Sequence, residues 1–376
     1  MTNGTDDGWT RRRFLRAGGS WAAALALARV ASGADDSSAG GTVVRGDAGK
    51  RLDAAVRATA GAAFRGAVLV AGGGEVLLAR GYGARDGKDA AKSPVAADSL
   101  FDIASVTKTI TATAVLRLAD AGKFALDDPV GKHVPKTPKD KSKLTLRHLL
   151  SHTSGLPLVV KGLGPEESAD RDRFAACVLA PRLEREPGKR WVYDNHGYSL
   201  LAVIVERVAG RPFEEHVRAD VFRVAEMESG FVGDSFDAGR LVARRIGAGS
   251  GGQIVGDAAT LPHPYDWSLR GAGGVVASVL DLHRFDRALR SGKLLRPETL
   301  RAAEKPVLDG YGLGWMTGAL DGKGGPVWVF HTGSIPGFQA YFARWTASER
   351  VFVVLTDEST DPRTLHGPLE AALRTR

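Results

Sequence analysis

Strand-forming sequence sits at the two ends of this chain and is sparse in between, and that arrangement limits the possible folds more than any other feature. Gly66 to Ala71, a glycine turn at 72–74 and Glu75 to Tyr82 read as a β-hairpin. The signal then lapses until Gly312 to Thr317, Pro326 to Phe330, Phe338 to Trp345 and Val351 to Leu355 follow one another across glycine- and charge-rich turns. Segments so far apart reach one sheet only if it is assembled from both ends of the chain. Leu52, Ala55, Val56, Ala60 and Ala63 recur at helical spacing over Arg51 to Phe64, and Thr364 to Arg374 closes as a helix. The middle reads as helical at 144–150, 170–180 and 197–209, with Arg211-Pro212-Phe213 opening another helix, while Ser278 and Asp281 form a helix start. Gly247 to Gly256 reads as a glycine-rich loop. The fold class expected is therefore α+β: an antiparallel sheet flanked by terminal helices, with residues 48–124 and 261–376 in that part, plus a mostly helical second domain over 125–260. A ligand would sit in the cleft between the two parts.

The 376 residues, 43% apolar and 25% charged, suffice for a sizeable core. The amino-terminal segment inflates the formal charge of +8: without residues 1–34, 46 basic residues face 41 acidic ones, a mild +5. No basic stripe with interleaved aromatics occurs, which argues against a nucleic-acid partner. Thr10 to Arg16 reads TRRRFLR, followed by the small and apolar run Ala17 to Ala31 and by Ser32-Gly33-Ala34. This pattern resembles a twin-arginine export signal, cleaved after Ala34, with a Ser/Gly/Asp-rich linker over 35–47. An exported, periplasmic or extracellular location is expected. Arg29 interrupts the run, well short of the roughly 18 unbroken apolar residues that a spanning helix needs. Cys177 is the single cysteine, so no intramolecular disulfide forms; within FAACVLA it reads as a small buried hydrophobe.

The chemistry centres on FDIASVTKTITA, 101–112. Ser105 and Lys108 lie three apart, so a helix beginning here, with Asp102 just ahead of it, brings hydroxyl and amine to one face. Such an amine accepts the hydroxyl proton only when neutral, which requires burial or a second cation to lower its pKa. Alone the pair means little, since a chain of this length carries about one by chance.

Two further stretches change its weight. Tyr193-Asp194-Asn195 precedes a helix, and His331-Thr332-Gly333 ends a strand. In order, Ser105-x-x-Lys108, Tyr193-x-Asn195 and His331-Thr332-Gly333 resemble the three elements of the penicillin-recognising serine hydrolases. The likeness is to the branch of class C β-lactamases, serine D-Ala-D-Ala carboxypeptidases and related esterases; it runs from about Gly66 to Thr356 and includes LLSHTSGLP and GAGGVVAS. The resemblance implies a nucleophile at Ser105, with Lys108 and Tyr193 accepting and returning its proton. Tyr193 could do so only if nearby cations, Lys108 foremost, lowered its phenol pKa; which group takes the first proton is left open. The same resemblance implies an oxyanion hole from the backbone N–H groups of Ser105 and Ser334, with Asn195, His331, Thr332 and Gly333 binding substrate. Histidine at 331 stands where β-lactamases usually carry lysine, and no E-x-x-L-N stretch is present. The first weakens a β-lactamase reading; the second, a class A pattern, implies no deacylating glutamate and leaves water activation to Tyr193 and Lys108.

Metal and cofactor sites are not expected. His148 and His152 are four apart but lack the H-E-x-x-H form, and read as structural histidines beside the active-site wall. GAGG at 271–274 lacks a nucleotide-binding pattern. Trp191, Tyr198, Trp267 and Trp315 read as core before groove. The function expected is a serine hydrolase acting through an acyl-enzyme on a small ester or a D-amino-acid peptide, with weak β-lactam hydrolysis. The alternative is a penicillin or peptidoglycan sensor that is acylated without turning over.

Overall fold

The chain enters through strand β1 (Val43–Val44) and helix α1 (Gly46–Ala60), then forms the β2 (Gly66–Gly72) and β3 (Glu75–Tyr82) hairpin. The short strand β4 (Phe101–Asp102) leads through a 3-10 turn at Ala104–Val106 into α2 (Thr107–Asp120). The helical middle holds α3 (Leu146–Leu150), α4 (Arg171–Leu179), α5 (Asn195–Ala209) and α6 (Phe213–Val217). Short strands β5 (Gly230–Phe231), β6 (Arg244–Ile246), β7 (Gln253–Val255) and β8 (Val275–Ala277) precede α7 (Val279–Arg290) and α8 (Pro297–Glu304). The chain ends with β9 (Met316–Leu320), β10 (Pro326–Ile335), β11 (Phe338–Trp345), β12 (Val351–Thr356) and α9 (His366–Arg374). This computed structural model describes residues 41–163, 169–234, 239–242, 244–246, 253–255, 266–323, 325–357 and 359–374. The signal-like segment 1–34 lies outside them.

The main sheet runs β1-β3-β2-β12-β11-β10-β9, antiparallel throughout, and is closed by β12 pairing with β2 from Val351 opposite Ala71 to Thr356 opposite Gly66. Period-two alternation sorts its side chains. Val68, Val70, Phe352 and Val354 join Leu52, Val56 and Leu369 of the terminal helices. Ala67, Leu69, Val353 and Leu355 face the other way, into one core shared with α2 and α5. Helix α2 is buried from Thr107 through Leu116, as befits a helix enclosed on all sides. Its threonines stay satisfied there, Thr109 donating to the Val106 carbonyl at 2.9 Å, Thr111 to Gly271 at 2.7 Å and Thr113 to Thr109 at 2.8 Å.

Several boundaries differ from those read above. Val43 and Val44 pair with Ala79 and Leu78, and α1 starts at Gly46, so the linker stretch already contains structure. The strand expected over 312–317 begins at Met316, because Gly314 turns at φ 90° and abuts α2, where an added Cβ would stand 2.5 Å from that of Ala112. Strand β10 continues past Phe330 to Ile335, held by β11 along its length. Within the stretch read as a glycine-rich loop, Gln253–Val255 pairs with Arg244–Ile246; the rest lies outside the described residues. The Ser278/Asp281 capping box is present at the start of α7.

Candidate active site

Ser105 sits in the middle of the 3-10 turn, and among residues 101–110 it alone is partly exposed. Asp102 does not cap α2; its carboxylate accepts the Ala104 N–H at 2.7 Å and so shapes the turn ahead of the nucleophile position. Ala104 adopts φ 46°, a left-handed conformation unusual for a residue with a side chain. Strand β10 presses on this turn at Gly333, where a Cβ would lie 2.2 Å from the Ile103 carbonyl oxygen. Glycine is what lets the strand and the turn touch.

Lys108, one turn on, is fully buried. Its Nζ meets Ser105 Oγ at 3.2 Å, Asn195 Oδ1 at 2.8 Å and the Ala272 carbonyl at 2.8 Å. The same Nζ stands 4.8 Å from the centre of the Tyr193 ring, and the Ser105 side chain lies near enough to the Tyr193 phenol to lower its pKa. Asn195 opens α5, whose cap is Asp194, accepting the N–H groups of His196 at 2.8 Å and Gly197 at 3.1 Å. The GAGG glycines supply close approach. Gly271 lies at φ 84° with its α-carbon face against Ala202 and the Tyr198 carbonyl, which delivers the Ala272 oxygen to Lys108.

Segments at 193–195, 271–272 and 333 thus converge on Lys108 and on the turn that carries Ser105. A family description of Beta-lactamase matches residues 49–374. The chain belongs to the Beta-lactamase family. It is 28% identical over 333 residues to penicillin-binding protein 4* of Bacillus subtilis (strain 168), spanning 82% of this chain and 71% of that protein. Esterase EstB of Burkholderia gladioli is 30% identical over 352 residues, spanning 81% of this chain and 88% of that protein. Among solved structures, a penicillin-binding protein from Bacillus halodurans shows a TM-score of 0.72 at 26% identity, covering 85% of this chain and 98% of its own. A D-amino acid amidase from Ochrobactrum anthropi SV3, 22% identical with a TM-score of 0.70 over 87% of this chain and 98% of its own, shares the fold. The protein is a Beta-lactamase-family serine hydrolase with the α+β architecture expected of that family.

The electrostatics of this hydrolase separate its two proton-carrying groups. Burial pulls the Lys108 amine down to about 7, opposed by the Asp194 carboxylate, which burial in turn raises to about 6. Burial pushes the Tyr193 phenol up to about 12, outweighing the lowering influence of the Ser105 side chain. The condition set for Tyr193, a phenol lowered by nearby cations, is therefore not met, because burial raises it instead. Near neutral pH the Lys108 amine is partly neutral and able to accept a proton, whereas Tyr193 keeps its own.

That assignment predicts an acid limb in kcat/KM with an apparent pKa near 7, turnover at pH 6 being about tenfold below that at pH 8. The sign follows from the amine: as pH falls through its folded pKa it becomes charged and stops accepting protons. Because Asp194 raises the Lys108 pKa, Asp194→Asn should move the limb to lower pH. A pH profile of both proteins checks this, and an unmoved limb would remove Lys108 from the assignment.

His331 is buried, its Nδ1 on the Thr332 carbonyl at 2.7 Å and its Nε2 on the Tyr311 hydroxyl at 3.1 Å. Nδ1 therefore carries the proton and Nε2 accepts from the phenol. Burial and Lys108 hold its pKa down to about 3, so the ring is neutral and both nitrogens are already engaged. It supports the site from behind, whereas Thr332 is half-buried and Ser334 exposed. Tyr198, Trp267 and Trp315 are buried, and Trp191 is half-buried beside Tyr311, ring centres 6.0 Å apart. His148 closes a capping box on Thr145, its Nδ1 accepting the Thr145 N–H at 3.2 Å. Among the described residues no group of three potential metal ligands occurs. Tyr311, Asp194 and the Ala272 carbonyl were not singled out as site groups; only the GAGG stretch hinted at the last.

Proposed function

We propose that this hydrolase cleaves small esters or D-amino-acid peptides and amides through an acyl-enzyme on Ser105. What carries the reading is the setting of Lys108. Two of its three partners, Asn195 Oδ1 and the Ala272 carbonyl, can only accept, while the third, Ser105 Oγ, can also donate. A neutral amine satisfies the two acceptors with its N–H bonds and turns its lone pair to the serine proton. On attack, the Oγ–carbonyl carbon bond forms and Lys108 takes that proton. Tyr193 then gives its own proton to the leaving group as the bond to it breaks, and is replenished by Lys108. Water repeats the cycle in Ser105's place and releases the acid.

The oxyanion is assigned to the N–H groups of Ser105 and Ser334. Register supports the second: the two-residue Pro336-Gly337 turn makes Ile335 and Phe338 the closing bonded pair, so Ser334 falls in a non-bonded pair with its N–H directed off that edge. Asn195, exposed at the head of α5, together with Thr332 and the bare Gly333 backbone, offers polar contacts to a substrate carbonyl. A neutral His331 supplies no fixed charge for a carboxylate, which favours esters and amides over β-lactams. Resemblance to an esterase and to penicillin-binding proteins supports the same range. Export by way of residues 1–34 belongs to this reading.

The test is a time course with a chromogenic ester, a D-amino-acid amide, a D-Ala-D-Ala peptide and a chromogenic cephalosporin, quenched for mass spectrometry. A transient mass increase on the Ser105 peptide with multiple turnovers is expected, and none in Ser105→Ala. A single stoichiometric burst would instead indicate a sensor, and labelling elsewhere would reject the mechanism.

A further inference from the structure

We infer that His152 is a positioning residue that holds the Tyr193 phenol in line with Ser105, an inference that rests on the proton-carrying role given to Tyr193 above. The histidine grips both sides of that tyrosine. Its carbonyl accepts the Val192 N–H at 2.8 Å, and its ring Nδ1 accepts the Asp194 N–H at 3.1 Å, so the residues flanking Tyr193 hang from one side chain and its own backbone. The imidazole then lies against the Tyr193 ring, centres 4.5 Å apart and planes inclined at 38°. Tyr311 at 4.7 Å and Tyr198 at 5.0 Å complete an aromatic enclosure behind it.

Two features argue that this is more than packing. His152 adopts φ 57°, a left-handed conformation that costs a side-chain-bearing residue energy and persists only where its surroundings enforce it. The residue is 1% exposed, yet Nε2 has no hydrogen-bond partner. With Nδ1 accepting, Nε2 holds the proton, and that N–H is left without an acceptor in the aromatic enclosure. A buried polar atom left unmatched is tolerated here because the opposite nitrogen is needed as an acceptor at Asp194. An apolar ring of equal size would fill the enclosure but release the Asp194 N–H and let the Tyr193 segment drift. A displacement of about 1 Å at a reacting group costs on the order of 10²-fold in rate.

The experiment compares His152→Ala, His152→Asn and His152→Gln, each in the native protein and in Tyr193→Phe, measuring kcat, KM and thermal melting with the chromogenic ester. Asparagine places its oxygen where Nδ1 stands and tolerates a positive φ, whereas glutamine mimics Nε2. His152→Ala should lower kcat about 10²-fold with KM nearly unchanged. Asparagine should restore most of that loss and glutamine little. In Tyr193→Phe, His152→Ala should have almost no further effect on kcat. Losses that multiply in the double variant, or rescue by glutamine but not asparagine, would overturn the inference while leaving the role of Tyr193 intact. Full turnover by Tyr193→Phe alone would strike at the phenol's role itself and remove the reason for holding it. Should the alanine variant fail to fold, the asparagine and glutamine pair decides the question.

Discussion

Lys108→Met is expected to lower turnover about 10³-fold or more while the protein stays folded, the range that removal of a positioned general base produces. Methionine follows the lysine stem closely in shape, so the enclosed α2 helix keeps its packing. The substitution strands Asn195 Oδ1 and the Ala272 carbonyl without their donor, at a cost of about 1–3 kcal/mol for each acceptor that stays dry. Against that, an amine that burial has pulled to about 7 no longer has to be kept out of water. Lys108→Arg should lose turnover as completely, because a guanidinium does not release its proton in this range. Burst kinetics with a chromogenic ester separate acylation from product release, and melting curves report folding. Near-normal acylation by Lys108→Met would hand the base role to Tyr193 despite its high pKa.

Gly333→Ala should be nearly as damaging with a single added methyl. The new Cβ would stand 2.2 Å from the Ile103 carbonyl oxygen and 3.1 Å from the Ala104 Cβ, distances that force backbone to move. The group displaced is the turn carrying Ser105, already held at a left-handed Ala104, and the two N–H groups proposed as oxyanion donors, of Ser105 and Ser334, belong to the turn and the strand that meet here. A shift of about 1 Å there is expected to cost on the order of 10²-fold in kcat. Thr332→Ala, at the half-buried neighbouring position, supplies the comparison, since it removes polar contact without pushing on the turn. If Gly333→Ala retains full kcat, the contact between β10 and the turn does not align the nucleophile.

The outline of this fold was open to reading because hydrophobic period and turn residues agree with it. The β2/β3 hairpin, the strands of the carboxyl-terminal half and the capping box at Ser278 announce themselves locally. Strand β10 shows where local reading stops. Gly333 and Ser334 carry little strand preference, and they stay extended because Ala340 and Gln339 pair with them. Motif residues Ser105, Lys108, Tyr193 and Asn195 could be placed by spacing and resemblance, and the structure brings them within bonding reach of one another. The direction of the Tyr193 pKa could not, since it depends on how much water the fold removes. His152 was legible as a wall residue only; its grip on Val192 and Asp194 requires a left-handed turn that no residue type at that position announces.

The pairing of β12 with β2 has a bearing on how the molecule is born. Partners across that seam are 280 to 290 positions apart, from Ala71 with Val351 to Gly66 with Thr356. The amino-terminal hairpin must therefore wait until Val351–Thr356 has been made before its free edge is covered, a high-contact-order closure that is slow and exposes strand edges meanwhile. Every group assigned to chemistry has been synthesised by Ser334, yet a product terminated before Val351 would leave the β10–β11 ribbon with nothing joining it to β2. Translation has to pass Thr356 before any of those groups has a frame to stand on.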